Sequence, residues 1–306
     1  SWTEVAITVD SKNTETAGNI ANMAVPYGIY IEDYSDLVEE TLQIAHIDLI
    51  DEDLLKKDRT KSIIHIYINP HENPAEAVSF VKERLDAENI PCEISLADCK
   101  AQDWVNNWKQ YFHAMPIGEK LLIRPEWEKD YDANGRIILN IEPGLAFGTG
   151  SHPTTRLCLE MLEEYVNDES TVLDIGCGSG ILSIAALLLG AKSAFGTDID
   201  ELAVKTAIEN AKKNGFEPPV FTAEKGDLSE CASGTYKIII ANIVADVVMK
   251  LNKDAGKFLD KHGVYITGGI IDSRKAEVEH SLEENGFDII ETRSEKGWNV
   301  FVCKKL

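Results

Sequence analysis

Between Val172 and Asp200 the chain reads VLDIGCGSGILSIAALLLGAKSAFGTDID. This is the pattern of a buried strand, a glycine turn, an apolar helix and a second strand ending in acid. Gly176, Gly178 and Gly180 stand at alternate positions. Glycines so placed let the backbone turn sharply and let a ligand approach the main chain. A strand, a glycine turn and a helix N-terminus form a nucleotide site at the carboxyl end of a parallel sheet. Asp198 closes the second strand, twenty residues beyond Gly178 (198 − 178). A carboxylate there accepts hydrogen bonds from ribose hydroxyls. The plainer role for an acid at this point is to cap the next helix, and Asp200 fits that role better than Asp198. The glycines read GxGxG. The dinucleotide pattern GxGxxG needs glycine where Ile181 stands, and no Walker lysine follows.

Four other places carry candidate chemistry. Asp174, just before the glycines, is placed to orient the loop or to face a positive group. Asn242 follows the buried run KIIIA, where an amide at a strand end accepts a hydrogen bond from an amine and aims its lone pair; helix capping is the alternative. Asp227 lies in EKGDL, where a loop acid either meets a base ring or is solvated. Pro143 to Thr155, PGLAFGTGSHPTT, is glycine-rich and precedes a helix. Such a loop serves as a lid. Ser151 is the expected cap and Pro153 suits the first turn. His152 is a candidate base, although a lone histidine in a turn is more often structural.

The elements that must hold these residues fall into two parts. Residues 2–9, 27–33, 61–69 and 91–96 read as strands, with helices over 14–23 and 74–89. The order β-α-β-β-α-β predicts a ferredoxin-like α+β domain over 1–98. An acidic insertion, 35–60, separates its second and third strands. Residues 99–116 are expected to be a linker helix, with Trp104, Trp108 and Phe112 on one face. From 117 to 306 the pattern becomes α/β. Strands over 120–124 and 136–141 read as a hairpin. Strands over 171–175, 193–198, 219–223, 237–241 and 263–268 then alternate with helices over 152–165, 181–189, 201–214, 244–259 and 273–285. A closing pair, 287–294 and 297–303, is expected to add an antiparallel edge strand. The result is a Rossmann-like seven-stranded, mostly parallel sheet with helices on both faces.

Composition narrows the classes. The chain has 306 residues, enough for two domains, with 44% hydrophobic and 27% charged residues. No apolar run approaches the eighteen or so residues of a membrane span, and no secretory signal is read at the start. Its six cysteines form no CxxC pair and no zinc spacing, so reduced thiols in a cytoplasmic protein and no metal site are expected. The net charge of −22 argues against a nucleic-acid backbone as partner and is compatible with a basic protein partner.

At these motifs the sequence resembles the ribosomal protein L-eleven methyltransferase family (PrmA), within the class I methyltransferases. PGLAFGTGSHPTT, LDIGCGSGILSIAA, GTDID and ANIVAD occur in that family's order, and the resemblance covers nearly the whole chain. It implies S-adenosyl-L-methionine as cofactor and a class I methyltransferase domain behind a ferredoxin-like domain that captures the substrate. It implies methylation of amino groups, the N-terminal amine and lysine side chains, on a large-subunit ribosomal protein. Cofactor contacts are implied at Thr155, Gly176, Gly178, Asp198 and Asn242, with Asn242 also catalytic. The wider amino-methyltransferase pattern places Pro-Pro and an aromatic after that Asn; here Ile243, Val244 and Ala245 follow, and Phe147 is the candidate for the missing wall. Other readings are a class I enzyme acting on another protein or a small molecule, a nicotinamide-dependent dehydrogenase, and a non-enzymatic binding module.

Overall fold

The structure is a computed structural model. It describes residues 3–25, 29–33, 35, 58–68, 74–96, 99–100, 113–128, 130–141, 152–228 and 230–306. The chain divides into two compact units, Ser1–Trp108 and Lys109–Leu306. The acidic insertion, apart from its ends, and the aromatic segment 101–112 lie outside the described residues.

The first unit runs β1 (Thr3–Asp10), α1 (Thr14–Ala24), β2 (Ile29–Asp33), β3 (Lys61–Ile68), α2 (Pro74–Ala87), β4 (Cys92–Leu96) and β5 (Cys99–Lys100). The sheet order is β2-β3-β1-β4-β5, and every pairing is antiparallel. Alternation explains it. Val5, Ile7 and Val9 on β1 and Ile64, Ile66 and Ile68 on β3 are buried on one face. Ala17, Ile20 and Ala21 of α1 and Val81 and Leu85 of α2 are the matching buried stripes. The four main strands have the ferredoxin-like arrangement. Cys99 and Lys100, expected in the linker, instead pair with β4.

The second unit opens with a small sheet, β6 (Met115–Ile117), β7 (Leu121–Pro125) and β8 (Ile137–Ile141), so the expected linker ends in a strand. The expected hairpin is not formed. β7 and β8 run parallel, Leu121 opposite Ile137 and Pro125 opposite Ile141, while β6 is the antiparallel neighbour of β7. The connection through Glu126–Glu128 and the turn at Asn134–Gly135 returns the chain to the start of β7, where Ile137 N–H donates to Lys120 O at 2.8 Å.

The main sheet carries the site. Its elements are α3 (Pro153–Tyr165), β9 (Thr171–Ile175), α4 (Ile181–Leu188), β10 (Ser193–Asp198), α5 (Glu201–Lys213), β11 (Phe221–Lys225), β12 (Tyr236–Asn242), α6 (Ala245–Phe258), β13 (Leu259–Ile271), α7 (Lys275–Glu284), β14 (Phe287–Glu295) and β15 (Trp298–Lys305). The order is β11-β10-β9-β12-β13-β15-β14. β9 to β13 are mutually parallel, and β15 is antiparallel to both its neighbours. The antiparallel strand was expected at the edge; it lies one place in, and β14 is the edge. The side chains show why. Trp298 to Cys303 are buried without a break, as a strand covered on both faces requires, whereas β14 beyond its buried Phe287 alternates half-buried and exposed. β13 is also longer than the expected 263–268, because Leu259 already pairs with Tyr236.

Helix α3 is pinned to the small sheet by one carboxylate. Glu163 accepts the N–H groups of Glu119, Lys120 and Leu121, each at 2.9 Å. Three successive amides closing on one anion form a nest. Among the described residues no helix is long and apolar enough to cross a membrane, and no cluster of three or more His, Cys, Asp or Glu could hold a metal ion.

Candidate active site

The glycine loop leaves β9 where the sheet order reverses, with β10 on one side and β12 on the other. A crevice at such a switch point takes ligands outside the carboxyl ends of the strands. Gly176, Gly178 and Gly180 all have positive φ, +73°, +52° and +80°. Side chains rarely adopt that conformation. At Gly176 a Cβ would also stand 2.4 Å from Ile243 Cγ2, so the loop can pass the end of β12 only as glycine.

The loop is tied to the end of β10. Gly176 and Cys177 donate their N–H groups to Thr197 O at 2.8 and 3.0 Å. Gly178 N–H donates to Asp198 Oδ2 at 2.9 Å. Asp198 Oδ1 accepts from Asp200 N–H at 3.0 Å, and Asp198 O accepts from Gly226 N–H at 2.9 Å. Asp198 is 3% exposed. Each carboxylate oxygen uses one of its two lone pairs and keeps acceptor capacity. Helix capping falls to Asp200, whose Oδ1 accepts Leu202 N–H at 2.9 Å. Asp200 is thus the cap, as its place in the sequence favours.

Asp174 is fully buried. Its Oδ2 accepts the Ser183 hydroxyl at 2.7 Å and the Ser183 N–H at 3.1 Å. Its Oδ1 has no partner. Burial pushes its carboxyl up to about 7, with the two Ser183 bonds opposing the rise. Asn242 closes β12 two residues beyond Ile240, which pairs with Asp174, so the two side chains share a face of the sheet. Asn242 Nδ2 donates to Thr155 Oγ1 at 3.2 Å, and its Oδ1 is also buried and without a partner. Leaving such a group unmade costs roughly 1–3 kcal/mol. Two unsatisfied acceptors on one face of the sheet, near the carboxyl ends of β9 and β12, suit a ligand that brings donors or positive charge.

Thr155 is fully buried in the first turn of α3. The N-cap of that helix is His152, not the expected Ser151. The His152 Nδ1 accepts Thr154 N–H at 3.3 Å, and the ring stands edge-on to Trp298 with centroids 4.5 Å apart. Burial pulls its pKa down to about 3, so it is a neutral cap and no reservoir of protons near neutral pH. Asp227 is ion-paired to Lys250 at 2.8 Å. Phe147 and the loop 143–151 lie outside the described residues. Sequence reasoning missed Gly268, the residue paired with Asn242 on β13. The adjacent glycines 268 and 269 at the end of a buried strand were the available signal.

S-adenosyl-L-methionine carries a sulfonium, an ammonium and a ribose diol, all cationic or donating groups. The residues present fit it: a glycine cradle that a Cβ would fill, an acid at the end of β10, and the two orphaned acceptors.

Sheet order and cleft together define a class I, Rossmann-like methyltransferase domain preceded by a ferredoxin-like unit. The family described as Ribosomal protein L11 methyltransferase (PrmA) matches residues 1–306, and the chain belongs to that family. It is 35% identical over 309 residues to the ribosomal protein L11 methyltransferase of Clostridium botulinum (strain Alaska E43 / Type E3), covering 99% of this chain and 98% of the relative. The namesake from Thermoanaerobacter pseudethanolicus is 36% identical over 313 residues, covering 99% of each. A solved structure of ribosomal protein L11 methylase from Lactobacillus delbrueckii subsp. bulgaricus superposes with TM-score 0.60 at 34% identity, covering 63% of this chain and 99% of the other.

Proposed function

We propose that this protein transfers methyl groups from S-adenosyl-L-methionine to amino groups of ribosomal protein L11, at its N-terminal amine and lysine side chains. The observation that carries the reading is the cleft itself. A glycine cradle, Asp198 and the Asn242 carboxamide converge at the switch point of the sheet, in a chain whose family match runs from end to end.

S-adenosyl-L-methionine, when bound, would supply a sulfonium methyl open to in-line attack by a neutral amine, the C–S bond breaking to leave a neutral thioether. Asp198 accepts from the ribose hydroxyls with the lone pairs its backbone bonds leave free. Gly176 and Gly178 bring the main chain close to the cofactor, Thr155 completes the set that the family resemblance implies, and Phe147 is the candidate for the aromatic wall. Asn242 Oδ1 accepts an N–H from the incoming amine and points its lone pair toward the methyl. Positioning of this kind is the larger part of catalysis when the transferred group is already activated. A lysine must reach the cleft without its proton, and exclusion of water beside a cation lowers its pKa. The N-terminal ferredoxin-like unit is the substrate-recognition part.

The test is mass spectrometry of purified ribosomal protein L11 after incubation with the enzyme and S-adenosyl-L-methionine. Methyl increments mapped to the N-terminus and lysines support the proposal. An unmodified protein, or methyl groups only on carboxylate or guanidinium side chains, defeats it.

A further inference from the structure

Asn242 ends β12 and Thr155 lies in the first turn of α3, so one hydrogen bond joins residues 87 apart in sequence. A carboxamide has a donor end and an acceptor end. Once Nδ2 is committed to Thr155 Oγ1, the acceptor Oδ1 is the end left over, and it is buried without a partner. The torsion that would exchange the two ends is broad and roughly two-fold, so something must hold it.

Two features do. Thr155 is fully buried at the start of a helix whose entry is fixed by the His152 cap and by Pro153. Across the strand pair, Gly268 sits opposite Asn242. A Cβ at Gly268 would stand 3.0 Å from Asn242 Oδ1 and 2.9 Å from Cys158 Sγ. The missing side chain leaves the volume that this orientation of the carboxamide occupies.

We propose that Thr155 is a positioning residue for methyl transfer: its hydroxyl holds the Asn242 carboxamide with Oδ1 presented to the N–H of the incoming amine, and Gly268 keeps room for that orientation. The inference rests on the reading of Asn242 given under Proposed function. Without the hydroxyl, the carboxamide can turn its Nδ2 toward the amine, and a donor then faces a donor.

The experiment measures kcat at saturating S-adenosyl-L-methionine with ribosomal protein L11 as acceptor, and cofactor Kd by calorimetry. Thr155→Val is expected to lower kcat roughly tenfold to a hundredfold; because Thr155 is also an implied cofactor contact, kcat is read at a cofactor concentration that saturates each variant, whatever its Kd. Thr155→Ser restores most of the turnover. Thr155→Cys, a weaker hydrogen-bonding group of similar size, serves if the valine variant does not fold, and kcat should fall there too. Thr155→Val added to Asn242→Ala should cost nothing further. A valine variant with normal kcat, or one that weakens cofactor binding while kcat at saturation stays normal, overturns the inference. Normal turnover in Asn242→Ala overturns the reading of Asn242 itself, and is told apart from the first failure because Asn242 alone is changed.

Discussion

Asp198 Oδ2 accepts the Gly178 N–H at 2.9 Å, so the acid that ends β10 and the loop that follows β9 are one hydrogen-bonded unit. The carboxylate holds the loop, and in the proposed function it also receives the cofactor's ribose.

Asp198→Ala removes both. Hydrogen bonds to charged groups contribute about 1.5–3 kcal/mol each, and roughly 1.4 kcal/mol is a factor of ten. Cofactor affinity by calorimetry should fall by at least about a hundredfold. Asp198→Asn keeps one acceptor and should lose less. Near-normal affinity in the alanine variant would remove Asp198 from the ribose role.

Gly176→Ala should be far more damaging than Gly190→Ala. Both glycines have positive φ, +73° and +110°. Around Gly190 a Cβ meets nothing within 4 Å, whereas at Gly176 it meets Ile243 Cγ2 at 2.4 Å. The Gly190 variant should lose about 1–2 kcal/mol from backbone strain alone. The Gly176 variant should lose more and should bind cofactor poorly. Equal stability losses in chemical denaturation would contradict the packing argument.

The sequence made the central part of this site legible because its constraints are local. GCGSG between an apolar strand and an apolar helix can be read residue by residue, and Asp198 and Asn242 follow from the same alternation. That Asp200 is the helix cap was legible from its position, but the bond from Gly178 N–H to Asp198 was not, since it depends on which backbone amide each oxygen meets. The parallel pairing of β7 with β8 was also hidden. Two short apolar runs separated by a turn look alike whether the chain reverses or crosses back. The place of β15 inside the sheet edge could have been read from the apolar run Trp298 to Cys303, interrupted only by Asn299. The Thr155–Asn242 bond could not, because nothing local joins residues so far apart.

Asp174 gives a pH signature in stability. Its folded pKa is about 7 against an ordinary 3.8. Between those values the folded state holds a proton that the unfolded state has lost. Stability from this group therefore falls as pH rises through that window. The slope is at most about 1.4 kcal/mol per pH unit. Asp174→Asn should flatten denaturation midpoints measured across it. A wild-type profile matched by the variant at every pH would show that the buried carboxyl does not titrate as described.

His152 acts with the opposite sign. Its folded pKa is about 3 against 6.5, so below 6.5 the unfolded state binds a proton that the folded state refuses, and stability falls as pH falls. His152→Ala also removes a helix cap, at a cost of about 0.5–2 kcal/mol. Because the ring is a half-buried cap, His152→Asn should leave the shape of the pH–rate profile unchanged while restoring part of the stability. Loss of a rate-controlling ionisation in that variant would make His152 a base after all.

Labelled S-adenosyl-L-methionine shows whether one ribosomal protein receives the methyl groups. The enzyme is incubated with total large-subunit ribosomal protein and the products are separated. Label on ribosomal protein L11, lost when its amines are blocked beforehand and absent with Asp198→Ala, is the result predicted. Label on no ribosomal protein, from an enzyme that binds the cofactor normally, would contradict it.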